Sequence, residues 1–227
     1  MMKPYHETEH GSIFCGDCLE IIPELYIFDG IILTDPPYGI KMSKGFSGSD
    51  GFNGNGKSIA RKQYDDDWDN ERPHIDIFNC LINLNLPTVI FGGNYFTDML
   101  PQANHWAVWD KKNTMPTFSD CELIWTNIKR NSVKCFRHEY NGLIGREKTR
   151  FHPTQKPITL IGMVILEYSK DNDNVFDPFA GSGTTAIAAL RTNRRYILIE
   201  KEEKYCEIAA KRITAELDQT DFLRSEK

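Results

Sequence analysis

The chain has no apolar run approaching the ~20 residues that a membrane-spanning helix requires, and residues 1–10 are polar, without the apolar core of a secretory signal. It has no cysteine pattern of a disulfide framework. The six cysteines are scattered, four of them (Cys15, Cys80, Cys121, Cys135) in apolar or strand-like runs, so reduced thiols and a cytoplasmic protein are expected. Cys15 and Cys18 have metal-ligand spacing, but no second pair and no histidine cluster supports them, and no metal is expected. An excess of positive charge is also missing. The net charge of −5 argues against a nonspecific coat on nucleic acid but leaves room for a local basic groove. Two phosphate-binding signatures are absent. The one Gly-x-Gly turn, Gly181-Ser182-Gly183, lacks the third glycine of the dinucleotide fingerprint, and no Gly-Lys-Ser/Thr is present.

What is present is a series of short apolar runs separated by helical patterns, which predicts an α/β fold around a mainly parallel sheet in one domain of 227 residues. Gly30-Ile31-Ile32-Leu33 reads as a buried strand and runs into Thr34-Asp35-Pro36-Pro37-Tyr38-Gly39. Open α/β sheets bind ligands at such carboxyl ends. Two prolines fix φ and remove two donors, leaving a rigid acceptor pair, the Asp35 carboxylate and the Pro36 carbonyl, beside the ring of Tyr38. That set suits an exocyclic amino group on a planar base, with the face of Tyr38, not its hydroxyl, expected to matter. A Pro-Pro turn with a capping aspartate is the other reading of the same residues.

Further along, Ser12–Cys15 predicts a strand, with Asp17 at its end as an acid or a helix N-cap. Strands are expected at Thr88–Phe91 and His105–Trp109. A strand pair is expected from Cys121–Trp125 and Val133–Phe136, joined antiparallel through the short turn at Lys129-Arg130-Asn131. Residues 41–72 hold glycines interspersed with serine, asparagine and lysine and have no convincing periodicity, which suggests a mobile substrate loop returning through Trp68. Residues 129–156 contain eight lysines or arginines and two acids, a plausible phosphate-contacting face in which Lys129, Arg130 and Lys134 stand out. A helix is expected from Ile158 to about Tyr168. Then comes strand, glycine turn and helix in Asn174-Val175-Phe176-Asp177-Pro178-Phe179-Ala180-Gly181-Ser182-Gly183-Thr184-Thr185, an adenosine-type site without evident pyrophosphate handling. Glu200 ends the next strand, placed to accept from ribose hydroxyls. A last helix is expected over Glu203–Leu217, followed by a polar tail.

Asp-Pro-Pro-Tyr at 35–38, Asp-Pro-Phe-Ala-Gly-Ser-Gly-Thr-Thr at 177–185 and His-Pro-Thr-Gln-Lys-Pro at 152–157 together resemble the β-group of S-adenosylmethionine-dependent DNA amino-methyltransferases. The resemblance covers roughly residues 11–40 and 88–212. It implies a circularly permuted, seven-stranded, mainly parallel Rossmann-like sheet with helices on both faces and one reversed edge strand, in a cytoplasmic protein of prokaryotic or phage type. It implies that Asp177, Phe179, Gly181 and Gly183 surround the methionine and ribose of S-adenosylmethionine, that Glu200 holds the ribose hydroxyls and Asp17 the adenine, and that Thr154 and Lys156 lie at the methionine carboxylate. Asp35, Pro36, Pro37 and Tyr38 form the pocket for a base flipped out of double-stranded DNA. Members whose tetrapeptide begins with aspartate mostly methylate adenine N6, and those with serine mostly cytosine N4. The implied activity is therefore site-specific adenine-N6 methylation. Cytosine-N4 or RNA adenine methylation and a catalytically silent partner subunit remain the alternatives, and a homodimer is left open. The segment for target recognition, 127–150, is short.

Overall fold

The structure, a computed structural model, describes residues 2–27, 29–40, 69–112, 119–139 and 155–225, with side chains of the last helix to residue 219. Thr154, Trp68, most of the glycine-rich stretch and the second half of 127–150 lie outside these residues, so the expectations for them are not addressed by the fold.

Nine strands form one sheet: β1 (His6–Thr8), β2 (Gly11–Cys15), β3 (Ile31–Thr34), β4 (Thr88–Phe91), β5 (Trp106–Asp110), β6 (Cys121–Thr126), β7 (Lys134–Arg137), β8 (Asn174–Asp177) and β9 (Arg195–Glu200). Their spatial order is β1-β2-β9-β8-β3-β4-β6-β5-β7. β2, β9, β8, β3 and β4 are mutually parallel, and β6 runs against both β4 and β5. The sheet thus has nine strands where seven were expected. Two strands are reversed: β1, at an edge, runs against β2, and β6 lies inside the sheet between β4 and β5. β6 and β7 are antiparallel in direction yet do not pair, because β5 sits between them and bonds β7 in parallel register. A short connection suggested a hairpin, but the apolar alternation of β5, with Ala107 and Trp109 buried, earned it the interior position.

The parallel strands are apolar on both sides because helices cover both faces. The helices are α1 (Cys18–Ile21), α2 (Ile75–Asn83), α3 (Ile158–Tyr168), α4 (Thr184–Arg191) and α5 (Glu203–Ser225). Ile31 and Leu33 of β3, Val175 of β8 and Leu198 of β9 pack against α3, α4 and α5, in one core with Leu160, Val164, Ala186 and Ala209. Their neighbours Ile32, Phe176 and Ile199 point the other way, into a core with Ile21 of α1 and Leu81 of α2. α3 matches its predicted span. α5 does not stop at Leu217 but continues to Ser225, so the expected polar tail is in large part helix. Among the described residues no helix is long and apolar enough to cross a membrane.

The sheet's carboxyl end brings together the ends of β3, β4, β8 and β9. β6, being reversed, contributes its beginning there: Ile124 is opposite Phe91, and Cys121 opposite Asp110. Everything that follows β6 therefore starts at the other end of the sheet.

α4 begins at Gly183, where φ is +79° and an added Cβ would come within 2.8 Å of the Ala209 Cβ on α5. This glycine is needed by the packing of α4 on α5. Gly183→Ala should lower unfolding free energy by about 1–3 kcal/mol in ligand-free urea denaturation. Wild-type stability would show that the two helices separate without cost.

Candidate active site

Asp35 follows β3 directly, and its carboxylate belongs to a cluster assembled from four parts of the chain. Lys156, in the segment before α3, places Nζ 2.7 Å from Asp35 Oδ2 and 3.0 Å from Glu122 Oε1 at the start of β6. Lys111, just beyond β5, reaches the second oxygen of Glu122 at 3.2 Å. The Tyr38 hydroxyl lies 2.6 Å from Asp35 Oδ1, 2.7 Å from Glu122 Oε1 and 3.1 Å from the Lys156 ammonium. Two carboxylates and two ammoniums balance in charge. The side chains of Lys156 and Glu122 are only 10 and 13% exposed, so solvent screens them little.

The electrostatics follow from who faces whom. Burial alone would push the Lys156 ammonium toward neutrality, but the Asp35 and Glu122 carboxylates outweigh it and hold its pKa above that of ordinary lysine. Burial also raises Glu122, yet Lys156 and Lys111 overcome it and bring this carboxyl down to about 2. Asp35 has one ammonium instead of two. Burial raises its pKa, the Glu122 charge raises it further, and Lys156 and the Tyr38 hydrogen bond offset only part of this. Burial and the same two carboxylates push the Tyr38 phenol well up, so it keeps its proton.

The Tyr38 hydroxyl is thus held in the cluster, a role the sequence reading did not give it. One face of its ring stacks on Tyr95 with centroids 4.6 Å apart and planes 15° apart, and Phe96 meets it edge-on at 6.1 Å. Gly92, at the end of β4, makes this possible: any Cβ there would overlap the Tyr38 ring.

The second cluster lies on β8 and β9. Asp177 ends β8, buried, with its carboxylate accepting from the hydroxyls of Thr34 (2.7 Å) and Thr185 (2.6 Å) and from the Phe179 amide (3.1 Å). Burial raises its pKa to about 6 against the pull of these three donors. The Thr34 bond ties the residue preceding Asp35 to the glycine turn. Glu200 ends β9, with one oxygen accepting from the Gly181 amide at 2.7 Å and the other from the Glu202 amide at 2.9 Å. Burial raises its pKa, and the two amides oppose that. Arg212 of α5 braces the turn by donating to the Ser182 carbonyl and hydroxyl.

One cavity of about 240 Å³ joins the two clusters. Asp35, Pro37 and Lys156 line it together with Asp177, Phe179, Gly181 and Glu200. Gly183 and Asp17 are not in its wall. Asp17 caps α1, accepting from the Leu19 amide at 3.0 Å, which with the nearby Lys201 lowers its pKa. Lys201 pairs with it at 3.2 Å and lines the cavity.

Residues 92–211, a little over half of the chain, match the DNA methylase family model. The chain belongs to this family. The type II methyltransferase M2.LlaDCHI of Lactococcus lactis subsp. cremoris is 27% identical to this methylase over 94% of its chain and 93% of the relative. M2.MboI of Moraxella bovis is 28% identical over 93% and 91%. Among solved structures, the M1.HpyAVI–SAM complex aligns with a TM-score of 0.58 at 24% identity, covering 89% of this chain and 98% of that one. The cytosine-N4-specific PvuII DNA methyltransferase aligns with a TM-score of 0.57 at 16% identity, covering 96 and 94%. These likenesses establish a Rossmann-like methyltransferase fold.

Several expected roles are redistributed. Lys156, expected at the methionine carboxylate, lines the cavity, and its ammonium is held by Asp35 and Glu122. Lys129, Arg130 and Lys134 are not brought to the site. They follow the reversed strand β6 or open β7, and so lie at the amino ends of the parallel strands, opposite Asp35. There Glu167, near the end of α3, takes both Arg130 and Lys134 at 2.5 Å. Glu122 and Lys111 escaped the sequence reading. A carboxylate opening the apolar run Cys121–Trp125 was the available signal.

Removing the cation exposes the cost of the arrangement. Lys156→Met leaves Asp35 and Glu122 facing each other, and breaking a buried pair in this way costs about 3–5 kcal/mol. In the variant the folded pKa of Asp35 rises further above its unfolded value. The remaining stability is therefore fullest in acid and is lost as pH rises through that folded pKa. Urea denaturation at about pH 5 and about pH 8 should show the smaller deficit in acid; an equal deficit at both would mean the cation is not balancing these carboxylates.

Proposed function

We propose that this DNA methylase moves the methyl group of S-adenosylmethionine to N6 of an adenine flipped out of double-stranded DNA, with the catalytic half preceding the cofactor half in a permuted chain. The observation that carries the reading is that Asp35 and Pro37 line one cavity together with Phe179, Gly181 and Glu200.

The residues present fit the cofactor. An added Cβ at Gly181 would meet nothing within 4 Å, so bare backbone borders open space where a ligand can approach. Glu200 is fixed by two amides and keeps lone pairs for ribose hydroxyls. Phe179 offers a half-buried ring, and Asp17, beside Lys201, stands at the same end for the adenine. Gln155 and Lys156 line the same cavity, which supports a methionine carboxylate held at this segment. When bound, S-adenosylmethionine supplies a methyl group on a positively charged sulfur.

The chain's own residues do the rest. The amino group of adenine is a poor nucleophile because its lone pair is delocalised into the ring. Accepting its two hydrogens at the Asp35 carboxylate and the Pro36 carbonyl draws the nitrogen toward a tetrahedral state. Proximity within one cavity supplies much of the rate. The base must leave the duplex, since a paired amine inside the stack cannot meet the donor. Aspartate at position 35 favours adenine over cytosine, following the tetrapeptide pattern of the family. The bacterial type II relatives support a cytoplasmic, prokaryotic setting.

Nucleoside analysis of DNA from a methylation-free host expressing the chain should show N6-methyldeoxyadenosine. N4-methyldeoxycytidine in its place contradicts the base assignment. Asp35→Asn should lower transfer by roughly 10²–10⁴-fold with calorimetric affinity for S-adenosylmethionine retained, whereas Gly181→Val should lose that affinity. Loss of cofactor binding in a folded Asp35→Asn variant would contradict the division of labour between the clusters.

DNA is expected to approach the carboxyl end of the sheet, where Lys112 is exposed and Arg137 is two-thirds exposed beside Asp110. Reversing Lys112 and Arg137 to glutamate should weaken DNA binding and flatten its salt dependence by about one unit of slope per lost contact. Reversing Lys129 and Arg130 should not. The opposite ranking would place DNA at the amino ends of the strands.

A further inference from the structure

We infer that Glu122 is a positioning residue for the reaction and that the Tyr38 hydroxyl changes partner between Asp35 and Glu122 as Asp35 takes up the substrate's proton. The inference rests on the functional reading above for the identity of the amine and on the cluster's geometry for everything else.

The argument begins with a count of hydrogens. Tyr38 Oη is within hydrogen-bond distance of two carboxylate oxygens, Asp35 Oδ1 at 2.6 Å and Glu122 Oε1 at 2.7 Å. A phenol carries one proton. Lys156 has three, and among the described residues its short contacts are Asp35 Oδ2, Glu122 Oε1 and Tyr38 Oη itself. With both carboxylates ionised, one of the two phenol contacts has no hydrogen in it. Adding one proton to the cluster on Asp35 Oδ1 completes the set. Asp35 then donates to Tyr38 Oη, and Tyr38 donates to Glu122.

Methyl transfer generates that proton. The nitrogen lone pair forms the new N–C bond, the electron pair of the C–S bond stays with sulfur, and one N–H proton leaves the nitrogen. Asp35 is the group at hand to receive it. Glu122 cannot compete for it, because Lys156 and Lys111 hold it anionic from two sides. It serves instead as the fixed acceptor onto which the Tyr38 hydroxyl turns. The phenol does not ionise at any stage; only the direction of its hydrogen bond changes. The charged and titratable groups facing Asp35 are Lys156 from the segment before α3, Glu122 from β6, Tyr38 from its own loop and Asp177 from β8, with Lys111 behind Glu122.

Two substitutions separate this role from a merely structural one, because they move Asp35 in opposite directions. Tyr38→Phe removes a donor to the Asp35 anion and should raise the pH at which Asp35 titrates. Glu122→Gln removes a neighbouring negative charge and should lower it. Carbon-13 carboxyl NMR of the ligand-free protein, with the Asp35 signal assigned from Asp35→Asn, should show shifts of about one pH unit in these opposite senses. The acidic limb of the single-turnover methyl-transfer profile should follow the same two directions. If Glu122→Gln does not fold, Lys111→Gln takes its place: it removes a cation from the cluster and should raise the Asp35 titration. Unmoved titrations in folded variants, or shifts of one sign in both Tyr38→Phe and Glu122→Gln, would overturn the inference. The NMR titration needs neither DNA nor cofactor, so its failure is distinct from a failure to find methyladenine.

Discussion

The site depends on one buried ammonium. Lys156 touches Asp35 after β3, Glu122 at the start of β6 and the hydroxyl of Tyr38, and it does so with almost no exposure. Taking these charges out of water is costly. What offsets the cost is the bonding: among the described residues, Nζ meets three acceptors, and Lys111 balances the second carboxylate. The arrangement fixes the Asp35 carboxylate with its charge balanced among the described residues. It also explains why a reversed strand lies inside the sheet. Only a strand running against β4 can deliver its first residues to the carboxyl end, and Glu122 is the second residue of β6.

The same end of the sheet makes the cofactor and catalytic clusters one machine. Thr34, the last residue of β3, donates to Asp177, the last of β8, and Asp35 follows Thr34 directly. Asp177 spends its acceptors on Thr34, Thr185 and the Phe179 amide, which makes it a brace for the glycine turn. Glu200 holds the turn from the other side through the Gly181 amide. Asp35 and the bare backbone at Gly181 are thereby held in the lining of one cavity. Proximity of a methyl donor and a flipped base would come from strands that are rigid for packing reasons alone.

Much of this was legible in the residues. Apolar runs marked β3, β4, β8 and β9 because strands buried on two faces are mostly apolar, and α3 came out with its observed limits. The local structure at 35–38 and 177–185 was legible because it is local: a strand end, two prolines, a glycine turn. What was not legible is what depends on distant contacts. Lys156 lies 121 residues from Asp35, and a motif alone does not say which anion a lysine will meet. Glu122 resembled a polar interruption in a strand until the reversal of β6 gave it a place. The basic residues at 129–134 formed a plausible DNA face on their charge alone. β6 runs against β4, so the residues that follow it fall at the far end, where Arg130 and Lys134 meet Glu167. The Tyr38 hydroxyl was overlooked because stacking is the first use suggested for an aromatic ring beside a base.

The central claim is that Lys156 and Glu122 act as one buried unit around Asp35. A double-mutant cycle measures this directly: the unfolding free energies of wild type, Lys156→Met, Glu122→Gln and the double variant, at one pH near neutrality. The account predicts that the double variant is less destabilised than the sum of the two single changes. Removing both members leaves fewer uncompensated charges than removing either, and the interaction energy should fall within about 0.5–3 kcal/mol. Additive effects, with an interaction energy near zero, would contradict it.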